Sequence, residues 1–408
     1  MGDGGRWLEG GQWAVPDALN SARPTEAGAR TSFPRKLDDH DGARMTHTDP
    51  ADASTTSTHA GRIEPTLAGL EALATLYNAL MTGLVLALVT RHGEALARDF
   101  VQAHFRRQHL EKFLPGLRKL GLEREPHAVA CALYHYHSNA LGGVATEYFR
   151  ESDRKAWVRY PPPRWIWRGT AVCAIPHAVN VAMLHGWHAH NGVSLGNPRL
   201  GFVCTGTITG GQPGLEGYYL EHEHDLAPSE RLRFATDERM PRVEQAQQPR
   251  LDTADWPEAR LHRTHRSYAM EYVRSLVPTL IMLLGREAAC AEIGRVARLI
   301  GMQFHDEVRA GATPAGSAST PDDTARSFAR LLAGLLAAQG ERVTLAGSTV
   351  RMEGWRLLDG VALDDAGLSA AFGAWNGLWE GLALAHDRFL RVNVQREGAH
   401  VTWHVVRG

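Results

Sequence analysis

Apolar residues dominate the chain from Leu73 to Val89, interrupted by Tyr77, Asn78, Thr82 and Gly83 and closed by Arg91, His92 and Glu94. The run predicts one long helix. A bilayer span needs about 20 apolar residues, and the polar interruptions favour the central buried helix of a soluble domain instead. A second apolar run, Leu276 to Leu284, is too short to span a bilayer and is broken by Pro278. Helical spacing also marks Pro126 to Leu141 and Pro176 to Asn191, whereas Ala145 to Val158 and Arg342 to Trp355 carry β-branched and aromatic residues without that period. Trp165 to Val172 reads as a further strand. The runs Phe389 to Gln395 and His400 to Val406, separated by Arg396 to Gly398, predict a tight hairpin. The corresponding turn earlier in the chain is longer and built on Gly210, Gly211, Pro213 and Gly214.

The order of elements is read twice. From about Leu70, and again from about Tyr268, come a long helix, a second helix, an extended segment, a third helix and a hairpin. Gly93, Glu94 and Ala95 are echoed by Gly285, Glu287 and Ala288, and His109 and Glu111 by His305 and Glu307. Gly142, Thr146 and Trp157 match Gly340, Thr344 and Trp355 at one offset; Gly192, Arg199 and Val203 match Gly381, Arg388 and Val392 at another. Matches in common order indicate duplication. The expected fold is α+β, with two tandem, structurally similar repeats of helices on small antiparallel sheets packed as a pseudo-dimer. The expected boundaries are a disordered N-terminal tail over 1–63, repeat 1 over 64–235, a linker over 236–267 and repeat 2 over 268–408. Pro241 to Pro257, with three prolines and a Gln cluster, has linker composition.

The histidines are unequally shared. Where repeat 1 has His135, His137 and Asn139, the Gly142–Gly340 register gives repeat 2 Ala333, Leu335 and Ala337. His185, His188 and His190 fall opposite Ala374, Gly377 and Trp379. Repeat 1 is therefore expected to carry a site and repeat 2 to act as scaffold.

The chain has 408 residues, a formal net charge of −1 and 44% apolar residues. No basic stripe with interleaved aromatics suggests nucleic-acid binding. The four cysteines, Cys131, Cys173, Cys204 and Cys290, lack CxxC spacing and are too sparse for a disulfide framework. A cytoplasmic location follows, with no secretory signal and no membrane partner expected. The first 60 or so residues are too polar to form a core, and Met45 offers an alternative start to Met1.

Cys173 is placed just before a helix opened by Pro176, where the dipole and free amides favour a thiolate. His177 follows one turn on and can serve as its base. The competing reading of Cys173 is a small packed hydrophobe. In the strand Tyr218 to Asp225, Tyr218, Leu220, His222 and His224 share one face, and Tyr219, Glu221, Glu223 and Asp225 the other. The histidine face is taken as the inner one. His222 and His224 with His188 then make a candidate three-histidine site for a divalent metal, if one is present. Substrate-binding candidates are His185, Trp187, Asn191, Tyr134, His137 and Arg168, with His188 and His222 as further catalytic candidates. His137 with Tyr134 is the preferred pocket wall on its helix, and Arg164, Trp165, Trp167 and Arg168 offer guanidinium forks beside aromatic walls.

The progression from strand through Cys173 and Pro176 into an amphipathic helix, and on to the hairpin ending in Tyr218 to Arg233, resembles the L-2-amino-thiazoline-4-carboxylate hydrolase family over roughly 170 residues of repeat 1. The resemblance implies hydrolysis of a C–N or C–S bond in a small cyclic or amide-like substrate. The duplication and the histidine-rich helix depart from the family pattern. Two alternatives stand beside it, a metal-dependent enzyme using the histidine cluster and a non-catalytic small-ligand sensor. The expected partner is a small-molecule substrate, with self-association into a homo-oligomer also open.

Overall fold

The computed structural model describes residues 61–408 apart from 143, 163–174, 245–247, 252–255 and 313–323, together with a ribbon pairing Trp7–Leu8 with Gln12–Trp13. The expectations for most of the N-terminal tail, and for Cys173, Arg164, Trp165, Trp167 and Arg168, lie outside the described residues. Thr58–Gly408 forms one compact unit.

That unit is α+β, as composition and patterning predicted. In chain order it contains β1 (Gly61–Arg62), α1 (Leu67–His92), α2 (Glu94–Lys119), α3 (His127–Leu141), β2 (Glu147–Arg150), β3 (Lys155–Tyr160), α4 (His177–Gly186), α5 (Asn191–Ser194), β4 (Leu200–Gly206), β5 (Leu215–Glu221) and β6 (Leu232–Phe234). There follow α6 (Glu258–Leu284), α7 (Arg286–Gln303), α8 (His305–Ala312), α9 (Thr324–Gln339), β7 (Arg342–Ala346), β8 (Thr349–Glu353), α10 (Asp365–His386), β9 (Leu390–Glu397) and β10 (His400–Arg407). The extended segments Ala145 to Val158 and Arg342 to Trp355 are each a hairpin. The second turns through Gly347, whose φ of 60° suits a residue without a Cβ.

Strand order is β2-β3-β5-β4-β6 in one sheet and β1-β7-β8-β10-β9 in the other. Each therefore holds the same antiparallel four, β2-β3-β5-β4 and β7-β8-β10-β9, with a fifth strand added at opposite edges. The added strands are β6, parallel to β4, and β1, antiparallel to β7. Gly93 and Gly285 join the first two helices of each half in nearly the same positive-φ conformation, at 88° and 79°. Gly186 lets α4 approach α2 so closely that a Cβ there would collide with the Gln102 carbonyl and crowd Arg106 N and Phe105. Gly377 does the same for α10 on α7, against Gly294 O, Ala297 and Arg298 N. The contacts of Gly377 are thus those of Gly186, whereas the sequence register sets His188 opposite Gly377. Trp157 lies within β3 whereas Trp355 lies beyond β8, so those two tryptophans do not correspond in the sheets.

Two boundaries differ from the sequence reading. Gly61–Arg62 already pair with β7, inside the segment assigned to the tail. Helix α6 starts at Glu258, inside the segment assigned to the linker, and runs uninterrupted through Pro278.

Among the described residues α1 is the one helix long and apolar enough to cross a membrane, but it lies at the centre of the fold. Leu73, Leu76, Tyr77, Leu80, Leu84, Val85 and Leu88 are all fully buried. It packs against α6, α7, α8 and α9 of the second half as well as α2 of its own, while α6 also packs against α2 and α3 of the first. Each half lends its first helix to cover the other.

Candidate functional site

A cavity of about 350 Å³ opens between α2, α3, the end of α4 and α6. From the first half its wall takes Phe105, Gln108, Lys112 and Lys119 on α2, and Tyr134, His135, Ser138 and Asn139 on α3. Tyr160, Met183, Trp187 and His188 complete that side. From the second half it takes Thr264, Ser267, Tyr268, Glu271 and Tyr272, which recur at the three- and four-residue spacing of one helical face.

His188 is held by a defined hydrogen-bond arrangement. Helix α4 ends at Gly186, and a 3₁₀ turn, His188–His190, leads into α5. His188 is 3% exposed, and its Nδ1 lies 2.7 Å from the hydroxyl of Tyr219. That hydroxyl also accepts from Nδ2 of Asn191 at 2.8 Å. Complete burial raises the Tyr219 pKa well above the usual phenol value, so the hydroxyl keeps its proton. Its acceptor among the described contacts is His188 Nδ1. A neutral imidazole that accepts at Nδ1 carries its proton on Nε2, so donor counting assigns the Nε2–H tautomer. Tyr219 is not part of the cavity wall; His188 is. His135 stacks on His188 with centroids 4.3 Å apart and planes 9° apart.

Behind this pair lies a second layer of buried histidines. His109 accepts at Nδ1 from Arg106 (2.9 Å), and its other side meets the buried side chain of Asn191. Burial, helped by Arg106, His190 and His135, pushes its pKa down to about 2. Burial and the nearby Arg106 and Arg231 hold His190 down at about 3. Trp187 bridges the layers, edge-on to His109 at 5.6 Å and stacked on Tyr134 at 6.1 Å. At the rim, Lys112 pairs with Glu271 across the two halves at 2.9 Å. Tyr268 donates to Oδ1 of Asn139 at 3.0 Å.

The structure brings together Tyr134, Trp187, His188 and, beneath them, Asn191. It does not bring the other described candidates to the cavity. His137 turns instead toward Tyr136, with rings 5.2 Å apart, and the wall uses His135 with Tyr134. His185 is exposed on α4, and His177 at the start of that helix is exposed, 3.3 Å from the Thr209 hydroxyl. Strand β5 ends at Glu221, so His222 and His224 lie beyond it, beside each other at 5.7 Å. The face carrying Tyr218 packs on Trp157, Val203 and Met240, away from the helices, while the face carrying Tyr219 meets His188. The inner face is therefore the one opposite to that expected, and His222 and His224 do not meet His188. Among the described residues no three His, Cys, Asp or Glu side chains are grouped to hold a metal ion. Cys131 and Cys204 are both buried, which raises their thiol pKa values, that of Cys204 to about 12.

Sequence reasoning missed His135, Tyr160, Tyr219 and the whole α6 face. The last has a recognisable signal in Thr264, Ser267, Tyr268, Glu271 and Tyr272, polar and aromatic residues at helical spacing that straddle the boundary drawn between the linker and repeat 2. Comparison of the chain with family models, with curated proteins and with solved structures gives no match.

Proposed function

We propose that this protein is a small-molecule hydrolase that uses histidines, cleaving a C–N or C–S bond of a compact cyclic or amide-like substrate bound in the cavity between α2, α3 and α6. The observation that carries this reading is the His188 ring, fixed by Tyr219 and Asn191 and stacked on His135 in the wall of an aromatic cavity. Its Nε2–H is a donor for a carbonyl or ring nitrogen on which negative charge develops. His135 is the group to take a proton from an attacking water. The raised thiol pKa values of Cys131 and Cys204 speak against thiolate attack by either.

The test is turnover of a panel of small cyclic amides, amidines and thiazolines, followed by mass spectrometry for the gain of one water. His188→Gln is expected to lower kcat at least a hundredfold in a variant that still unfolds cooperatively above the assay temperature. Saturable binding with no turnover across the panel would replace the hydrolase by a ligand sensor, a reading favoured by the cavity's one wall carboxylate, Glu271, being tied to Lys112.

We further infer that the two halves descend from one duplicated unit and form a pseudo-dimer. The shared strand order, the matched Gly186 and Gly377 contacts and the reciprocal covering by α1 and α6 support this. The second half has filled its equivalent region. Tyr77, Trp375, Trp379 and Trp403 are fully buried there, and Trp375 Nε1 donates to the Tyr77 hydroxyl at 2.9 Å.

A further inference from the structure

Cations are concentrated at one end of the cavity. Of the cations that helix α6 carries from Arg260 to Arg266, Arg260 and Arg263 lie near Lys119, whereas Arg266 lies against Gly340 near Glu341 and Arg356. Arg260 lies in the first turn, where the helix dipole opposes positive charge. The last turn of α2 brings Lys119 to the same place. Lys119 lines the cavity with Thr264 and Ser267, and its Nζ reaches the Thr264 hydroxyl at 3.4 Å.

The other wall lysine, Lys112, is neutralised by Glu271. Among the described residues, no ion pair forms at Lys119, Arg260 or Arg263, and the Arg260 guanidinium lies 3.6 Å over the Trp256 ring instead. Burial, followed by repulsion from Arg260 and Arg263, lowers the Lys119 pKa. Like charges gathered beside an apolar cavity, with no counter-charge paired to them among the described residues, are complementary to an anion. The rest of the wall is aromatic, with Phe105, Tyr134, Trp187, Tyr268 and Tyr272 suited to a flat ring.

We propose that the cavity selects a flat aromatic anion, its ring against Trp187 and Tyr134 and its acid group at the Lys119–Thr264 end. This rests on the cavity being the ligand site. The test is calorimetric titration of the full chain with 2-naphthoate and with its neutral counterpart 2-naphthamide, at low salt. The acid is expected to bind at least tenfold more tightly than the amide. Lys119→Met should weaken the acid at least tenfold and leave the amide unchanged, while Lys119→Arg should retain most of the affinity.

Equal affinities for acid and amide, or an unaffected Lys119→Met, would overturn the anion preference and leave the cavity as a site for neutral ligands. Binding of neither probe would remove both readings. So would binding that survives Ser138→Trp, which fills the cavity, in a variant whose melting temperature matches the parent.

Discussion

The hydroxyl of Tyr219 has one proton to give and two buried neighbours to satisfy. Tyr219→Phe leaves the Asn191 amide and His188 Nδ1 without their partner. The expected cost is about 1–3 kcal/mol in urea unfolding, the penalty for stranded buried polar groups. The variant also frees His188 to exchange tautomers, which ¹⁵N chemical shifts of its ring nitrogens will report. Unchanged shifts would show that something other than Tyr219 fixes the ring. The choice of face at this strand was not legible in the sequence for a physical reason. Every residue from Leu215 to Tyr219 is buried, because helices cover one side of the sheet and Met240 helps cover the other. Alternation then separates two faces without saying which one meets the helices.

At the level of elements, α1 could be read from its apolar run, which is buried on most sides, and the final hairpin from the alternation of its last strand. The break in the histidine helix could not. Its sequence looks helical through Asn191, but the regular helix stops at Gly186 and a 3₁₀ turn follows, whereas α10 in the other half runs on through 22 residues. Close approach at the two glycines is what both halves share. Gly186→Ala and Gly377→Ala should each destabilise by about 1–3 kcal/mol, because the added methyl meets packed helix backbone on the facing element rather than a flexible side-chain tip. Thermal unfolding of the two variants checks this, and a neutral Gly186→Ala would mean that α4 shifts freely on α2. The α6 face of the site was invisible for a related reason, as its contribution depends on one half reaching across to the other.

For the whole molecule, the buried neutral histidines set an acid limit. His104 is fully buried, neither ring nitrogen has a partner among the described residues, and burial with the nearby Arg107 pushes its pKa down to about 3. His109 is held near 2. Both fall below the unfolded value of about 6.5, so the unfolded chain binds protons that the folded chain refuses. Stability from these groups is fully present above pH 6.5 or so and is lost as pH falls toward the folded values. Each contributes about 1.4 kcal/mol per pH unit, and the pair roughly 5 kcal/mol by pH 4.5, comparable with a domain's total stability. Urea midpoints should therefore drop steeply between pH 6.5 and 4.5. His104→Leu should raise stability at pH 7 by about 1 kcal/mol, since Phe100, Phe105 and Tyr272 surround the ring, and should flatten the acid slope by about one proton. A slope unchanged by that substitution would show that other groups govern acid unfolding.

The exchange of first helices between the halves also sets a timetable for synthesis. Helix α1 ends at His92, yet it is buried by elements that finish at Gln339. At common elongation rates the ribosome needs roughly 10 to 50 s to cover that distance. Until then the most apolar segment of the chain has α2 from its own half but lacks part of the surface that buries it, and it resembles a segment bound for a membrane. The nascent chain should therefore depend on a holdase, and a product ending near residue 250 should aggregate. Supplying the remainder as a separate polypeptide in the same cell should restore its solubility; a soluble, protease-resistant fragment ending there would show that the first half folds without waiting.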